Sequence, residues 1–377
     1  MLKVDSKFPG GNIVVHEIGD DHIVVSPDYR DSKDGWFYWA FRLCGAAGRH
    51  LLVEFKDSTP VGMRGPAVST DGRLTWHWTT EPWEIGSFEL TVPADCDEIY
   101  LAFAPTYTQE NWDRFMATLP SFAPKGSYEA GVLTQSRKGR PVQVLHVGQA
   151  PDKAEKVSFF SARHHCCEMS ASWVMEGIIA AILSGETEEG LWLREHASVT
   201  FVPFADKDGV EDGDEGKNRV PHDHNQDYTE FLYPETKAIA ALVSDLQEKY
   251  GVETVIDIHS PWIRGYPENV VYMPGKPQPE VAERQIAFGN LLEKSLPEGA
   301  HRFYQKDFYP FGKGWNVATE FTHGLVFSNW ANVACHVGFG TTLEVPYAEI
   351  SGETMTPGGL RLLGAGVAIA LARYLQR

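Results

Sequence analysis

The stretch that decides the fold is residues 157–185, VSFFSARHHCCEMSASWVMEGIIAAILSG. Its first six residues form an apolar, strand-like run, and Ser170 is a candidate N-cap for a helix that Gly185 would end. That helix would carry an apolar face made of Trp173, Val174, Ile178 and Ile182. Polar residues between a strand end and a helix start lie where ligand sites gather in open α/β sheets. The stretch therefore predicts an α/β fold with a site near residues 164–168.

The same alternation of strand and helix continues through the second part of the chain. Apolar, β-branched runs occur at residues 142–148, 197–204, 253–260 and 341–347, and helix-like stretches such as 234–250 separate them. Strands that alternate with helices indicate a largely parallel sheet. We therefore predict a domain at residues 105–377 that contains a mixed, mostly parallel sheet flanked by helices.

Residues 1–104 show a different pattern. Short alternating runs, such as HLLVEFKD at 50–57 and EIYLAFAP at 98–105, recur about every ten residues, with Gly, Asp and Pro between them. This pattern is typical of a β-sandwich. The sequence thus predicts an all-β sandwich domain at residues 1–104, ahead of the α/β domain.

Composition limits the partners and the compartment. The 377 residues include 51 acidic and 33 basic ones, a net charge of −18, which would repel nucleic acid and anionic membranes. The start, MLKVDSKFPGG, lacks the apolar run of a signal peptide, and the longest apolar stretch, 362–372, is too short for a bilayer span. Five irregularly spaced cysteines argue against a disulfide framework. We expect a cytoplasmic protein with no nucleic-acid and no membrane partner.

The first candidate for chemistry is the pair His165 and Glu168. With 14 histidines and 51 acidic residues, about two such spacings are expected by chance, and the sequence has two, so the spacing alone decides nothing. Its context is more informative, because the pair follows a strand and His259 ends another strand, VIDIHS. Two histidines and a carboxylate with one open position form a known catalytic zinc site.

Five motifs in this order resemble those of the zinc metallocarboxypeptidases, and within them the cytosolic carboxypeptidase-like branch. They are ARHHCCEMSASWVMEG (162–177), VPFADKDGVEDGDEGKNR (202–219), DHNQDY (223–228), VIDIHS (255–260) and TTLEVPY (341–347). The resemblance covers roughly residues 105–377. The β-rich segment before it is similar to the small sandwich domain that precedes the catalytic domain in that branch.

The resemblance implies one zinc ion per chain, held by His165, Glu168 and His259. It makes Glu344 the general base, which would take a proton during attack and later hand it to the leaving amine. It also makes Arg219 the cation that polarises the scissile carbonyl. A surface salt bridge with the acidic run EDGDE, just upstream, is the alternative for Arg219.

The sequence departs from the family pattern where a substrate's end group would bind. The family has an Arg beside the Asn of DxNR, whereas this chain has Gln226 beside Asn225. Gln has no charge and cannot form the bidentate ionic contact that Arg forms with a carboxylate. The Tyr that closes over the substrate in the family is also missing from residues 320–330. Arg264 is a candidate replacement, with a surface position as its alternative.

A second candidate for metal binding is the segment that holds His222 and His224. In the family the corresponding segment lines the substrate pocket instead. Both interpretations of these two histidines remain open from the sequence.

Three functions fit these features. The first is a zinc-dependent hydrolase of peptide or amide bonds, a metallocarboxypeptidase with altered recognition of the C-terminal carboxylate, acting on a peptide or modified peptide. The second is a deacylase or amidase that cleaves an N-acyl or side-chain amide on the same fold. The third is a catalytically inactive binding module, against which the intact set of His165, Glu168, His259 and Glu344 argues.

Overall fold

The first part of the chain forms two sheets in this computed structural model, which describes residues 1–33, 36–267, 269–317 and 324–377. The strands are β1 (Lys3–Asp5), β2 (Val14–Ile18), β3 (His22–Ser26), β4 (Ala40–Cys44), β5 (His50–Phe55), β6 (Ala67–Ser69), β7 (His77–Trp78), β8 (Trp83–Glu84), β9 (Ser87–Thr91) and β10 (Glu98–Ala102). One five-stranded sheet has the order β1-β4-β10-β6-β7, and the other has the order β2-β3-β5-β9-β8.

The inner faces of these two sheets pack against each other. Along β5, Leu51, Val53 and Phe55 are buried and alternate with exposed residues, as expected for a strand with one face in a core. The buried ring of Trp39, next to β4 of one sheet, lies 5.0 Å from the ring of Phe55 and 5.8 Å from that of Phe88 in the other sheet. The predicted all-β sandwich is thus confirmed, and the predicted boundary at 104 and 105 falls shortly after β10.

The second part contains a six-stranded sheet flanked by helices. Its strands are β11 (Tyr128–Gln135), β12 (Pro141–Gly148), β13 (Lys156–Ala162), β14 (Ala197–Val202), β15 (Val252–His259) and β16 (Phe339–Glu344), followed by a two-stranded ribbon of β17 (Glu349–Ile350) and β18 (Glu353–Thr354). The helices are α1 (Gln109–Thr118), α2 (Ser170–Ser184), α3 (Glu188–His196), α4 (Lys207–Asp212), α5 (Pro234–Tyr250), α6 (Pro279–Ser295), α7 (Phe327–Val333) and α8 (Pro357–Leu375). Single turns of 3-10 helix occur at Leu119–Ser121, His224–Gln226 and Gln305–Asp307.

The strand order β11-β12-β14-β13-β15-β16 confirms the mixed, mostly parallel sheet. Strands β14, β13, β15 and β16 are parallel, and β11 and β12 add an antiparallel edge. Since parallel strands end at the same edge, the residues that follow β13, β15 and β16 lie close together. The register pairs His259 directly with Glu344.

Helices α2 and α8 pack together through their backbones. A Cβ atom at Gly177 would lie 2.0 Å from the carbonyl oxygen of Arg361, and one at Gly364 would lie 2.1 Å from that of Val174. Glycine is therefore required for this close approach. By length and composition α8 would also suit a membrane span, but 61% of its most apolar window is buried within the fold.

Helix α2 begins differently from the prediction. Its N-cap is Met169, and no side chain caps it. Ser170 is instead the first helical residue, and its Oγ donates a hydrogen bond to the carbonyl oxygen of Pro346 at 2.9 Å. The C-terminal prediction is confirmed, since Gly185 ends the helix in the left-handed conformation with φ 61°.

The sandwich supports the loop at residues 213–219. The Asp31 carboxylate accepts hydrogen bonds from the backbone N–H groups of Glu215 and Gly216, at 3.2 and 2.9 Å. In return, the buried Glu215 carboxylate accepts one from the backbone of Tyr38 at 2.7 Å. These reciprocal bonds fix the loop against the sandwich.

Candidate active site

A cavity of about 350 Å³ lies at the carboxyl ends of β13, β15 and β16. Its wall includes most of the residues that the sequence singles out, namely His165, Glu168, Asn225, Gln226, His259 and Glu344. Trp36, from the first part of the chain, also lines it. The predicted site residues thus share a cavity with a residue of the sandwich region.

Three predicted metal ligands meet at one end of this cavity. Nδ1 of His165 lies 2.9 Å from Oε1 of Glu168, and Nδ1 of His259 lies 2.8 Å from Oε2 of the same carboxylate. One atom from each of the three side chains lies within 4.8 Å of the others. Glu168 is fully buried, and His259 is nearly so.

A carboxylate holds the far nitrogen of each imidazole. Nε2 of His165 lies 3.2 Å from both oxygens of Asp223, and Nε2 of His259 lies 2.7 Å from Oδ2 of Asp257. With a metal ion bound, this arrangement would keep the proton of each imidazole on Nε2 and leave the Nδ1 lone pairs free to bind the ion. Metal-binding histidines have the same second partner, which fixes their tautomer and ring orientation.

Charged neighbours within the cluster shift the pKa values of His165 and Glu168. Burial opposes the charged form of His165, but the neighbouring Asp223 and Glu168 raise its pKa to about 9. Burial likewise opposes the charged form of Glu168, but Lys217 and the two histidines hold the pKa of this carboxyl well below its usual range. The carboxylates of the cluster are therefore balanced by protons on the imidazoles and by Lys217, and a divalent cation that bound here would displace the imidazole protons.

Glu344 lies beside this cluster at the end of β16. Backbone hydrogen bonds of 3.1 and 2.9 Å with Tyr272 hold it in place. Burial raises the pKa of its carboxyl to about 7, with His259 opposing the shift and Glu168 adding to it. Among the described residues, its Oε2 has no hydrogen-bond partner. A buried carboxyl with this pKa is suited to exchanging a proton near neutral pH.

The two cations of the KNR segment have different surroundings. Lys217 lines the cavity, where its Nζ contacts Oε1 of Glu168 and donates to the carbonyl oxygen of Ser260 at 2.9 Å. Arg219 is not among the described residues that line the cavity. Its guanidinium instead lies in a buried acidic pocket, 3.0 Å from Asp214 and also bonded to Asp206. The structure therefore brings Lys217, and not Arg219, to the cluster.

Arg264 also lies outside this cavity. Its guanidinium donates to the carbonyl oxygens of Val61, at 2.8 Å, and Thr59, which ties it to the sandwich. Asn225 and Gln226 do line the cavity, and the Oε1 of Gln226 has no partner within the described part of the chain. In the segment 320–330 that lacks the expected Tyr, residues 320–323 lie outside the described residues.

The alternative metal cluster at His222 and His224 does not form among the described residues. The Nε2 of His222 bonds to the carbonyl oxygen of Gln226 at 3.1 Å, and the ring of His224 stacks on Tyr233 at 3.7 Å. A different buried trio, His164, Asp257 and His259, has its ligand atoms within 4.8 Å of one another. Its His164 is already bonded at both nitrogens, to Asp257 at 2.9 Å and to the hydroxyl of Tyr228 at 2.6 Å.

Sequence reasoning did not single out Asp257, Asp223 or Lys217. Asp257 had a usable signal, because it stands two positions before His259 and side chains two apart share one face of a strand. Asp223 is the first residue of the DHNQDY motif, and its carboxylate also caps the turn that follows. Nothing in the sequence separates Lys217 from Arg219, since both belong to one irregular loop.

Several relatives in sequence are named cytosolic carboxypeptidases. The chain is 26% identical over 294 residues to cytosolic carboxypeptidase 3 of Mus musculus, covering 68% of this chain and 29% of that protein. It is 29% identical over 264 residues to cytosolic carboxypeptidase 2 of Danio rerio, covering 61% of this chain and 36% of that protein. The chain thus spans about a third of the length of these two relatives. No protein-family model matches the sequence.

Solved structures with the same fold are metallo-carboxypeptidases. The enzyme from Burkholderia cenocepacia superimposes with a TM-score of 0.80 at 19% identity, over 100% of this chain and 99% of that chain. The one from Pseudomonas aeruginosa, solved in complex with (2-guanidinoethylmercapto)succinic acid, gives 0.77 at 19% identity over 99% of both chains. The predicted resemblance is confirmed: the homologues are cytosolic carboxypeptidases, and the structural neighbours are metallo-carboxypeptidases with the zinc carboxypeptidase fold.

Proposed function

We propose that this protein is a zinc-dependent hydrolase of peptide bonds, a metallocarboxypeptidase whose recognition of the substrate's end group differs from that of its relatives. One observation carries the proposal. The Nδ1 atoms of His165 and His259 converge on the Glu168 carboxylate, in a cavity that also holds the buried Glu344. Fold and homology support the reaction class, because the relatives are named carboxypeptidases.

The ligand set fits zinc by its chemistry. His165, Glu168 and His259 would hold one ion through two imidazole nitrogens and one carboxylate, which leaves a position open. The carboxylates of Asp223 and Asp257 would support the two histidines. Bound zinc supplies a lowered pKa for water, toward ~7, and polarises a carbonyl oxygen.

Glu344 would move the proton. Its carboxylate would accept a proton from the attacking water and then donate that proton to the leaving amine. Burial raises the pKa of this carboxyl, whereas a divalent cation held beside it would lower that pKa and keep the carboxylate ready to accept a proton. The Oε2 atom of Glu344 supports this role, because within the described part of the chain it has no hydrogen-bond partner and can accept a proton.

Lys217 would stabilise the negative charge that develops on the carbonyl oxygen. Its ammonium lines the cavity beside Glu168, where a fixed cation is most effective because water is largely excluded. Arg219 would then act indirectly, by holding the loop that carries Lys217 against Asp206 and Asp214. This division of labour replaces the role that the resemblance assigns to Arg219.

The proposal is tested with zinc-loaded protein on three compound classes: blocked dipeptides with a free C-terminus, their C-terminal amides, and N-acyl amino acids. We expect hydrolysis of a blocked dipeptide, its loss after treatment with a chelator, and its return on adding zinc. Failure of the zinc-loaded protein to hydrolyse any compound would contradict the proposal. So would hydrolysis that persists after zinc has been removed.

A cytoplasmic location is part of the proposal. The relatives are named cytosolic, and all five cysteines of this chain are free thiols. Free thiols are typical of reducing compartments.

A further inference from the structure

A buried lysine lies in the cavity apart from the metal cluster. Lys276 is 8% exposed, lines the cavity, and donates from Nζ to the hydroxyl of Ser328 at 2.6 Å. Among the residues that the structure describes, no carboxylate lies within 4.0 Å of this ammonium. Its polar partner in the protein is therefore a neutral hydroxyl.

The hydroxyl connects this lysine to the strand that carries Glu344. Oγ of Ser328 lies 3.0 Å from Oγ1 of Thr342, which also lines the cavity. Thr342 stands two positions before Glu344 in β16, so the two side chains share one face, about 7 Å apart along the strand. That spacing is about the length of two residues of an extended chain.

A cation in this position is costly unless an anion accompanies it. Taking an ammonium out of water is unfavourable, and the cost is offset only by a partner with opposite charge. Burial lowers the pKa of Lys276 to about 8, although Asp257 and Glu344 at longer range act in the opposite direction. An anion entering from the cavity would supply the missing partner.

The neutral groups nearby are consistent with such an anion. Gln226 and Asn329 line the same cavity, and the side-chain oxygen of each has no partner among the described residues. Their side-chain amides can donate N–H hydrogen bonds to a carboxylate without adding a second positive charge. Since residue 226 is a glutamine, a positive charge that pairs with a carboxylate has to come from another residue of the cavity wall.

Building on the proposed function, we infer that Lys276 is a specificity-determining residue that binds a carboxylate carried by the leaving residue of the substrate. The carboxylate comes either from the α-carboxyl at a chain end or from an acidic side chain. In both cases Ser328 positions the ammonium, and the scissile bond lies beside Glu344, on the amino side of the residue that carries the carboxylate.

Two matched pairs of ligands separate the two sources of carboxylate. Leucine and leucinamide differ only at the α-carboxyl, and isoglutamine and glutaminamide differ only at the side-chain carboxyl. Calorimetry on zinc-loaded wild type, Lys276→Met and Lys276→Arg measures binding of all four compounds. Hydrolysis of the corresponding benzoyl-glycyl derivatives gives kcat/KM for the same series.

We expect wild type to bind one acid roughly 10- to 100-fold more tightly than its amide, as for a charge-assisted hydrogen bond. Lys276→Met should reduce this ratio to within about threefold of unity, whereas Lys276→Arg should keep most of it. The pair that shows the preference identifies the carboxylate. A preference that survives in Lys276→Met, or equal binding of acid and amide by wild type in both pairs, would overturn the inference.

The controls keep folding and chemistry apart. Lys306→Met removes an exposed lysine that does not line the described cavity, and it should leave every ratio unchanged. Thermal unfolding and zinc content should match wild type in all variants. If binding follows Lys276 while no derivative is hydrolysed, the proposed function fails and the carboxylate site stands. If hydrolysis proceeds without any carboxylate preference, the carboxylate site fails and the proposed function stands.

Discussion

The two ends of the cavity handle charge in opposite ways. At the metal end, defined by His165, Glu168, His259 and Glu344, every imidazole faces carboxylates of the protein itself. At the far end, defined by Lys276, Ser328 and Thr342, the ammonium has only hydroxyl partners among the described residues. At the first end, imidazole protons and Lys217 balance the carboxylates, and a metal ion would displace those protons. At the second end, the ammonium has no anion beside it among the described residues. A metal ion would complete the first end, and a substrate carboxylate would complete the second.

The largest effect is expected from breaking the metal end. His165→Ala removes one of three ligands and should reduce bound zinc from about one ion per chain to a small fraction of that. Metal analysis of the purified protein measures this directly.

His222→Ala is the matched control, because His222 bonds to the backbone of Gln226 and does not line the described cavity. It should keep its zinc. Full zinc content in His165→Ala, or zinc loss in His222→Ala, would move the metal site to the other histidines.

Glu344→Gln should stop turnover without losing metal. The amide has nearly the same shape but cannot accept a proton, and loss of a general base typically costs ~10² to 10⁴ in rate. Measured kcat should fall by that factor while zinc content stays at the wild-type level. Glu298→Gln, at an exposed position, is the control. Near-normal kcat in Glu344→Gln would place the base on another carboxylate.

The paired variants Lys217→Met and Arg219→Met test which of the two cations stabilises the negative charge on the carbonyl oxygen. Loss of an oxyanion donor typically costs about 10² to 10³, so Lys217→Met should lower kcat/KM by that factor. Arg219→Met breaks buried ion pairs and should lower the free energy of unfolding by about 3–5 kcal/mol. Kinetics well below the unfolding temperature and urea titrations separate the two effects. A larger fall in kcat/KM for Arg219→Met than for Lys217→Met would reverse the assignment.

Gln226→Arg is expected to have the smallest effect, and its sign is informative. A new guanidinium should improve kcat/KM on a blocked dipeptide with a free α-carboxyl, by about tenfold or less, through a charge-assisted pair. On the C-terminal amide of the same dipeptide it would be a desolvated cation without a partner and should lower kcat/KM. A loss on both compounds would favour the deacylase or amidase alternative.

The sequence predicted most of the metal end because strand ends impose its geometry. The family resemblance pointed to His165, Glu168, His259 and Glu344, and their places at or after the ends of parallel strands explain why they come together. Loops are harder, because side-chain direction there depends on tertiary contacts. Arg264 was a candidate for the pocket, with a surface position as its alternative, and its guanidinium binds carbonyl oxygens of the sandwich outside the cavity. Lys276 likewise stands in an irregular segment after Tyr272, where no periodic pattern marks its direction.

Anomalous X-ray diffraction at the zinc absorption edge, from crystals of the zinc-loaded protein, would locate the metal directly. We expect one strong peak per chain, about 2.0–2.2 Å from Nδ1 of His165, Nδ1 of His259 and an oxygen of Glu168. A peak at His222 and His224, a peak between His164 and Asp257, or no peak at all would contradict this expectation.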